Sequence, residues 1–150
     1  MASTVAIGNA DLAKIQGVLE RLLADAGGAA VLLIARGGES IAAAGAAPAL
    51  DMAAVAGLAA GGFGATAPLA QLLGEREFSA VIHEGVRQSL HVSAVDDTTV
   101  LIAVFDDRTT VGMVRVFARE AATKLAAVLG DTRTRGRAAG ARSGAAGHAT

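Results

Sequence analysis

The chain has 150 residues, 53% of them apolar, with 37 alanines, 19 glycines and a formal net charge of −1. That length suits one domain with a sizeable core, and small side chains must fill much of it. The absence of cysteine excludes disulfides, thiolate zinc sites, iron–sulfur clusters and thiol nucleophiles.

Residues 1–8 are expected to be a flexible start. No basic residue precedes an apolar block there, so the chain is read as neither exported nor membrane-spanning, and as cytoplasmic. From Asn9 to Ala26, Leu12, Ile15, Leu19, Leu22 and Leu23 recur at helical spacing, which predicts an amphipathic helix. Asn9 is the expected N-cap and Gly27-Gly28 the stop. The apolar run Ala29 to Ala35 predicts a strand covered on both faces, and Arg36-Gly37-Gly38-Glu39 a turn into a second strand over Ser40 to Ala44.

Asp51 to Leu73 predicts a helix ending at Gly74, with a break near 64–68 because Pro68 lacks an N–H. Gly57, Gly61, Gly62 and Gly64 each cost a helix about 1 kcal/mol relative to alanine, so close packing against another backbone is expected to offset them. Three strands follow: Phe78 to Glu84, Gln88 to Val95 and Thr99 to Phe105, the last a central strand. A final helix over Thr110 to Leu129 is expected to stop at Gly130. The fold class is therefore α+β, in the order αββαβββα, with a five-stranded antiparallel sheet and helices on both faces. Residues 131–150 carry Arg133, Arg135, Arg137 and Arg142 among alanine and glycine, a composition that predicts a disordered tail without a nucleic-acid role.

Chemistry-bearing motifs are sparse. Gly62 to Ala67 fits the glycine pattern of a dinucleotide-binding turn, but that turn needs a preceding strand, and the residues before it read as helix. No GxxxxGK[ST] or GxSxG sequence occurs, so neither a P-loop hydrolase nor a nucleophile elbow is indicated. His83-Glu84 and His91 could meet across the hairpin as acid, base or metal ligands; they are read instead as polar groups on a solvent-facing side, with His83 at an interface. Asp106-Asp107-Arg108 reads as capping of the last helix. Arg76, Arg87 and Arg108 are loop arginines that a partner's phosphoryl-transfer site could use. No catalytic residue, cofactor or metal is assigned.

The element order, with DLAKI at Asp11 to Ile15, LLIARGG at Leu32 to Gly38, LAAGGFGATAPLAQLLGEREF at Leu58 to Phe78, HEGVRQSLHV at His83 to Val92 and VFDDRTTVGMVR at Val104 to Arg115, resembles the roadblock/dynein light chain family. The resemblance covers residues 9–130 and is strongest to its bacterial branch that partners a small Ras-like GTPase. It implies a homodimer with sheets joined edge to edge and middle helices packed together, forming a platform for one GTPase. Gly57, Gly61, Gly64, Ala65 and Pro68 on the middle helix and Lys14 on the first are the interface positions it implies. The implied function is GTPase activation in cell polarity or motility, by a regulator that is not itself an enzyme. The alternative is a dimeric scaffold that tethers a GTPase or cytoskeletal assembly without changing turnover.

Overall fold

The computed structural model describes residues 7–47 and 50–147, with side-chain surroundings up to residue 140. The elements are α1 (Asn9–Ala26), β1 (Ala30–Ala35), β2 (Ser40–Gly45), α2 (Met52–Ala65), α3 (Ala67–Leu72), β3 (Ala80–Glu84), β4 (Gln88–Ala94), β5 (Thr99–Asp106) and α4 (Val111–Gly147). The five strands form one sheet in the order β2-β1-β5-β4-β3, and every neighbouring pair is antiparallel. The predicted fold class is the one observed.

Strand alternation builds two separate cores, because successive side chains point to opposite faces. On one face Val31, Leu33, Leu101, Ala103 and Phe105 meet Ile15, Leu19 and Leu22 of α1 and Val114, Leu125 and Leu129 of α4. On the other, Leu32, Ile34, Val100, Ile102 and Val104 meet Ala56, Ala59, Ala60 and Phe63 of α2. β1 and the Val100–Phe105 run of β5 are therefore apolar, as strands covered on both faces must be.

The middle helix is two helices. Asp51 caps α2 by accepting from the Ala54 N–H at 3.1 Å. The chain breaks at Thr66, whose hydroxyl donates to the Phe63 carbonyl at 2.6 Å, and Pro68 sits in the first turn of α3, where its missing N–H has no partner to lose.

Two helix ends differ from the sequence expectation. The residue before α1 is Gly8, and no side chain caps that helix, so Asn9 is its first residue rather than its cap. Helix α4 does not stop at Gly130, and residues 131–147 are helical rather than disordered. Gly130 lacks the positive φ of Gly27, Gly38, Gly45 and Gly74. The extension is held by partners far away in sequence. The Thr132 hydroxyl donates to Asp11 at 2.8 Å, and Arg135 also donates to Asp11. Arg133 donates to Asp96 and, at 2.9 Å, to the Thr98 hydroxyl. Residues 1–6 and 148–150, the outer parts of the two expected flexible ends, lie outside the described residues.

Candidate functional site

Between Asp51 and Glu75 the sequence carries no charged residue. A helix apolar on every side calls for cover on every side, yet the sheet covers only one face of α2. The outer face holds Leu58, Leu69, Leu72 and Leu73, each more than half exposed, beside exposed Gly57, Gly61, Gly64, Ala65 and Pro68. A Cβ added at Gly57, Gly61, Gly62 or Gly64 would meet nothing within 4 Å. Exposed apolar faces are uncommon on isolated soluble domains, which makes this face the candidate site.

Gly57 already takes part in one close approach within the chain. Gly38, at φ 101°, turns so near α2 that a Cβ there would lie 3.0 Å from the Gly57 Cα. The neighbouring Arg36 locks this corner. Its guanidinium forms a bidentate pair with Glu77 at 2.8 and 3.0 Å, donates to the Asp96 carbonyl at 2.7 Å and lies 5.8 Å from the centre of the Phe63 ring. One side chain thereby ties the β1–β2 turn to α2, to the segment after α3 and to the β4–β5 turn. The hydrogen bonds from Arg36 hold the Glu77 carboxyl below its ordinary range.

His83 lies on the same side of the sheet as α2. It is exposed and lines a shallow depression with Leu50, Val55 and Leu90. Lys14 lies in the opposite layer, beside a groove of about 440 Å³ between α1 and α4 that Glu120 and Lys124 also line. The structure thus gathers the five α2–α3 positions on one surface, with His83 on that side, and separates Lys14 from them by the thickness of the sheet.

His83, Glu84 and His91 do not converge, and the reading of both histidines as groups on one solvent-facing side is corrected. His83 pairs with Leu90, and His91 pairs with Ile82, so strand alternation sends the two imidazoles to opposite faces. His91 is not a surface residue: it is 2% exposed and stands under α4, where neither ring nitrogen has a hydrogen-bond partner. Burial lowers its pKa, and the nearby Arg115 lowers it further, both favouring the neutral ring. An unsatisfied polar group in such a place costs about 1–3 kcal/mol. Ser93, two residues on, is also buried with an unpartnered hydroxyl.

The loop arginines are differently placed. Arg108 donates its Nε to Asp106 at 2.9 Å, and Thr110 rather than an aspartate caps α4 by accepting from the Met113 N–H at 3.2 Å. Arg76 pairs with Asp97 at 3.3 Å across an exposed gap. No group of three or more His, Cys, Asp or Glu side chains that could hold a metal occurs among the described residues. Sequence reasoning missed the exposed leucines, although the uncharged stretch signals them, and missed Ser93, Arg115 and Arg119 around His91, which no local pattern marks.

A single five-stranded antiparallel sheet covered by helices on both faces is the roadblock fold. The chain matches a roadblock/LC7 domain from Streptomyces avermitilis at TM-score 0.59 and 16% identity, over 80% of this chain and 95% of that one. Sequence similarity carries further. MglB of Myxococcus xanthus is 34% identical at TM-score 0.77, over 85% of this chain and 96% of that one. The gliding protein MglB of Thermus thermophilus is 31% identical at TM-score 0.80, over 85% and 97%. This chain belongs to the roadblock family, in its MglB branch. It matches no protein-family model and no curated protein.

Proposed function

We propose that this protein is a homodimeric, cytoplasmic regulator that binds a small Ras-like, MglA-like GTPase on its α2–α3 face and accelerates GTP hydrolysis, in cell polarity or gliding motility. The observation that carries this reading is the uncharged α2–α3 face, whose glycines leave room for another backbone while its leucines remain exposed. Membership of the MglB branch, with a relative described as a gliding protein, supports it. The segment Met52–Leu72 is by length and composition apolar enough to cross a membrane. Its break at Thr66 and its packed inner face favour a protein partner instead.

The edge strand β3 supports the dimer, since an unpaired edge invites a strand and a twin supplies one symmetrically. Acceleration follows by population shift: the regulator favours the hydrolysis-competent arrangement of the GTPase only as far as it binds that state more tightly. Arg108 and Arg76 are engaged by Asp106 and Asp97, which favours repositioning over an inserted arginine.

Single-turnover GTP hydrolysis by the source organism's Ras-like GTPase, with this protein at increasing concentration, tests the proposal. Saturable acceleration that survives Arg108→Ala is expected. Loss of acceleration in that variant would replace repositioning by an arginine finger. Tight binding without acceleration would leave a scaffold, and no binding would refute the reading.

A further inference from the structure

Across the sheet from the α2–α3 face, a half-open cavity of about 630 Å³ lies between α4 and strands β3 and β4. Small residues make the space: Ala80 on the sheet, Ala122 and Ala126 on the helix. The floor carries the buried His91 and Ser93, whose polar side-chain atoms have no hydrogen-bond partner. Arg115 and Arg119, one helical turn apart, line the cavity with Thr123, and no carboxylate does.

We propose that this cavity binds a small oxyanion, a phosphate or carboxylate group. The donor set fits such a group and no cation. Two guanidinium groups supply charge-assisted hydrogen bonds. The neutral imidazole of His91 offers one N–H and the Ser93 hydroxyl one O–H. A bound oxyanion would accept from one imidazole N–H and from the Ser93 hydroxyl, buried donors that the protein leaves unmatched and that native interiors rarely tolerate without a ligand or water. The site lies in the opposite layer from the α2–α3 face, so a GTPase seated there leaves it open.

The test is a titration of the full chain with inorganic phosphate at constant ionic strength, followed by NMR at the His91 imidazole nitrogens and the Ser93 amide. Saturating shifts with one shared midpoint are expected. Arg115→Gln and Arg119→Gln should each weaken binding tenfold or more while circular dichroism is unchanged, because both side chains are exposed at the surface. A parallel titration with acetate separates the sources: saturation by phosphate alone assigns a phosphate ligand, and saturation by both assigns small oxyanions generally. Shifts that grow linearly without saturation, or saturation unchanged in both variants, would overturn the proposal.

Discussion

The two faces of the sheet are packed by opposite means. Against α1 and α4 the core is made of large branched side chains, with Ile15, Leu19, Leu33, Leu101 and Leu125 completely buried. Against α2 the sheet again presents large side chains, Leu32, Ile34 and Ile102, but the helix meets them with alanines and one phenylalanine, while its own leucines point away from the sheet. Hydrophobicity alone would predict the reverse, since the 52–72 segment is the chain's most apolar helical stretch. The difference teaches that one helical layer carries the monomer's stability and the other leaves apolar surface uncovered, as the proposed contact role requires. The helices over one face bury their large residues, and the α2–α3 layer leaves its own exposed, where the proposed function would seat a second molecule.

The comparison breaks first at the stable face. Leu125→Ala should cost about 3–5 kcal/mol, because a completely buried leucine leaves a cavity that two packed helices cannot close. Equilibrium urea unfolding measures it, and Leu72→Ala on the opposite face should change stability by less than about 0.5 kcal/mol in the same assay.

Next comes the polar clasp that holds the α4 extension. Asp96 accepts from the Thr98 and Thr99 N–H groups, each at 2.9 Å, from both hydroxyls, and from Arg133. Asp96→Ala should cost about 2–3 kcal/mol, the range for losing hydrogen bonds to a charged group. Burial alone would raise this carboxyl's pKa, but hydrogen bonds from Thr99 and Thr98 and the charge of Arg133 lower it. Its folded value lies below its unfolded one, so its stabilisation is full above the ordinary carboxylate range and is lost as pH falls through the lowered pKa. Thermal melts from about pH 5 to 2 should therefore fall less steeply for Asp96→Asn than for the wild type.

A smaller effect is expected at the corner between the layers. Arg36→Ala removes the partly exposed pair with Glu77 and the contact with the buried Phe63 ring. It should cost about 1–2 kcal/mol. Hydrogen exchange should show the loss concentrated in α2 and α3, whereas uniform loss across the sheet would contradict the role given to Arg36.

How far the sequence reached follows the same division. The strands were legible because alternation and continuous apolar runs are local signals, and β1 and β5 follow them closely. The break at Thr66 was legible from Pro68. The course of α4 was not, since Gly130 and the arginine-rich composition point to an end, while the contacts of Thr132, Arg133 and Arg135 reach Asp11 and Asp96 more than thirty residues away. Nor was His91, because the half-polar pattern of β4 reads as a solvent-facing side and nothing nearby reveals that α4 covers it. At the α2–α3 face the uncharged, glycine-rich stretch was legible, but the exposure of Leu58, Leu69, Leu72 and Leu73 depends on which face the sheet takes.

Gly64→Arg tests the division of labour most directly, with unfolding and GTPase binding measured on the same protein. Gly64 lies in α2 with open space around its Cα, and arginine is the better helix former by roughly 1 kcal/mol. The variant should therefore be as stable as the wild type or slightly more so, yet fail to bind or activate a Ras-like GTPase. Intact binding and activation by a folded Gly64→Arg protein would contradict the account, because the α2–α3 face would then not be the contact surface.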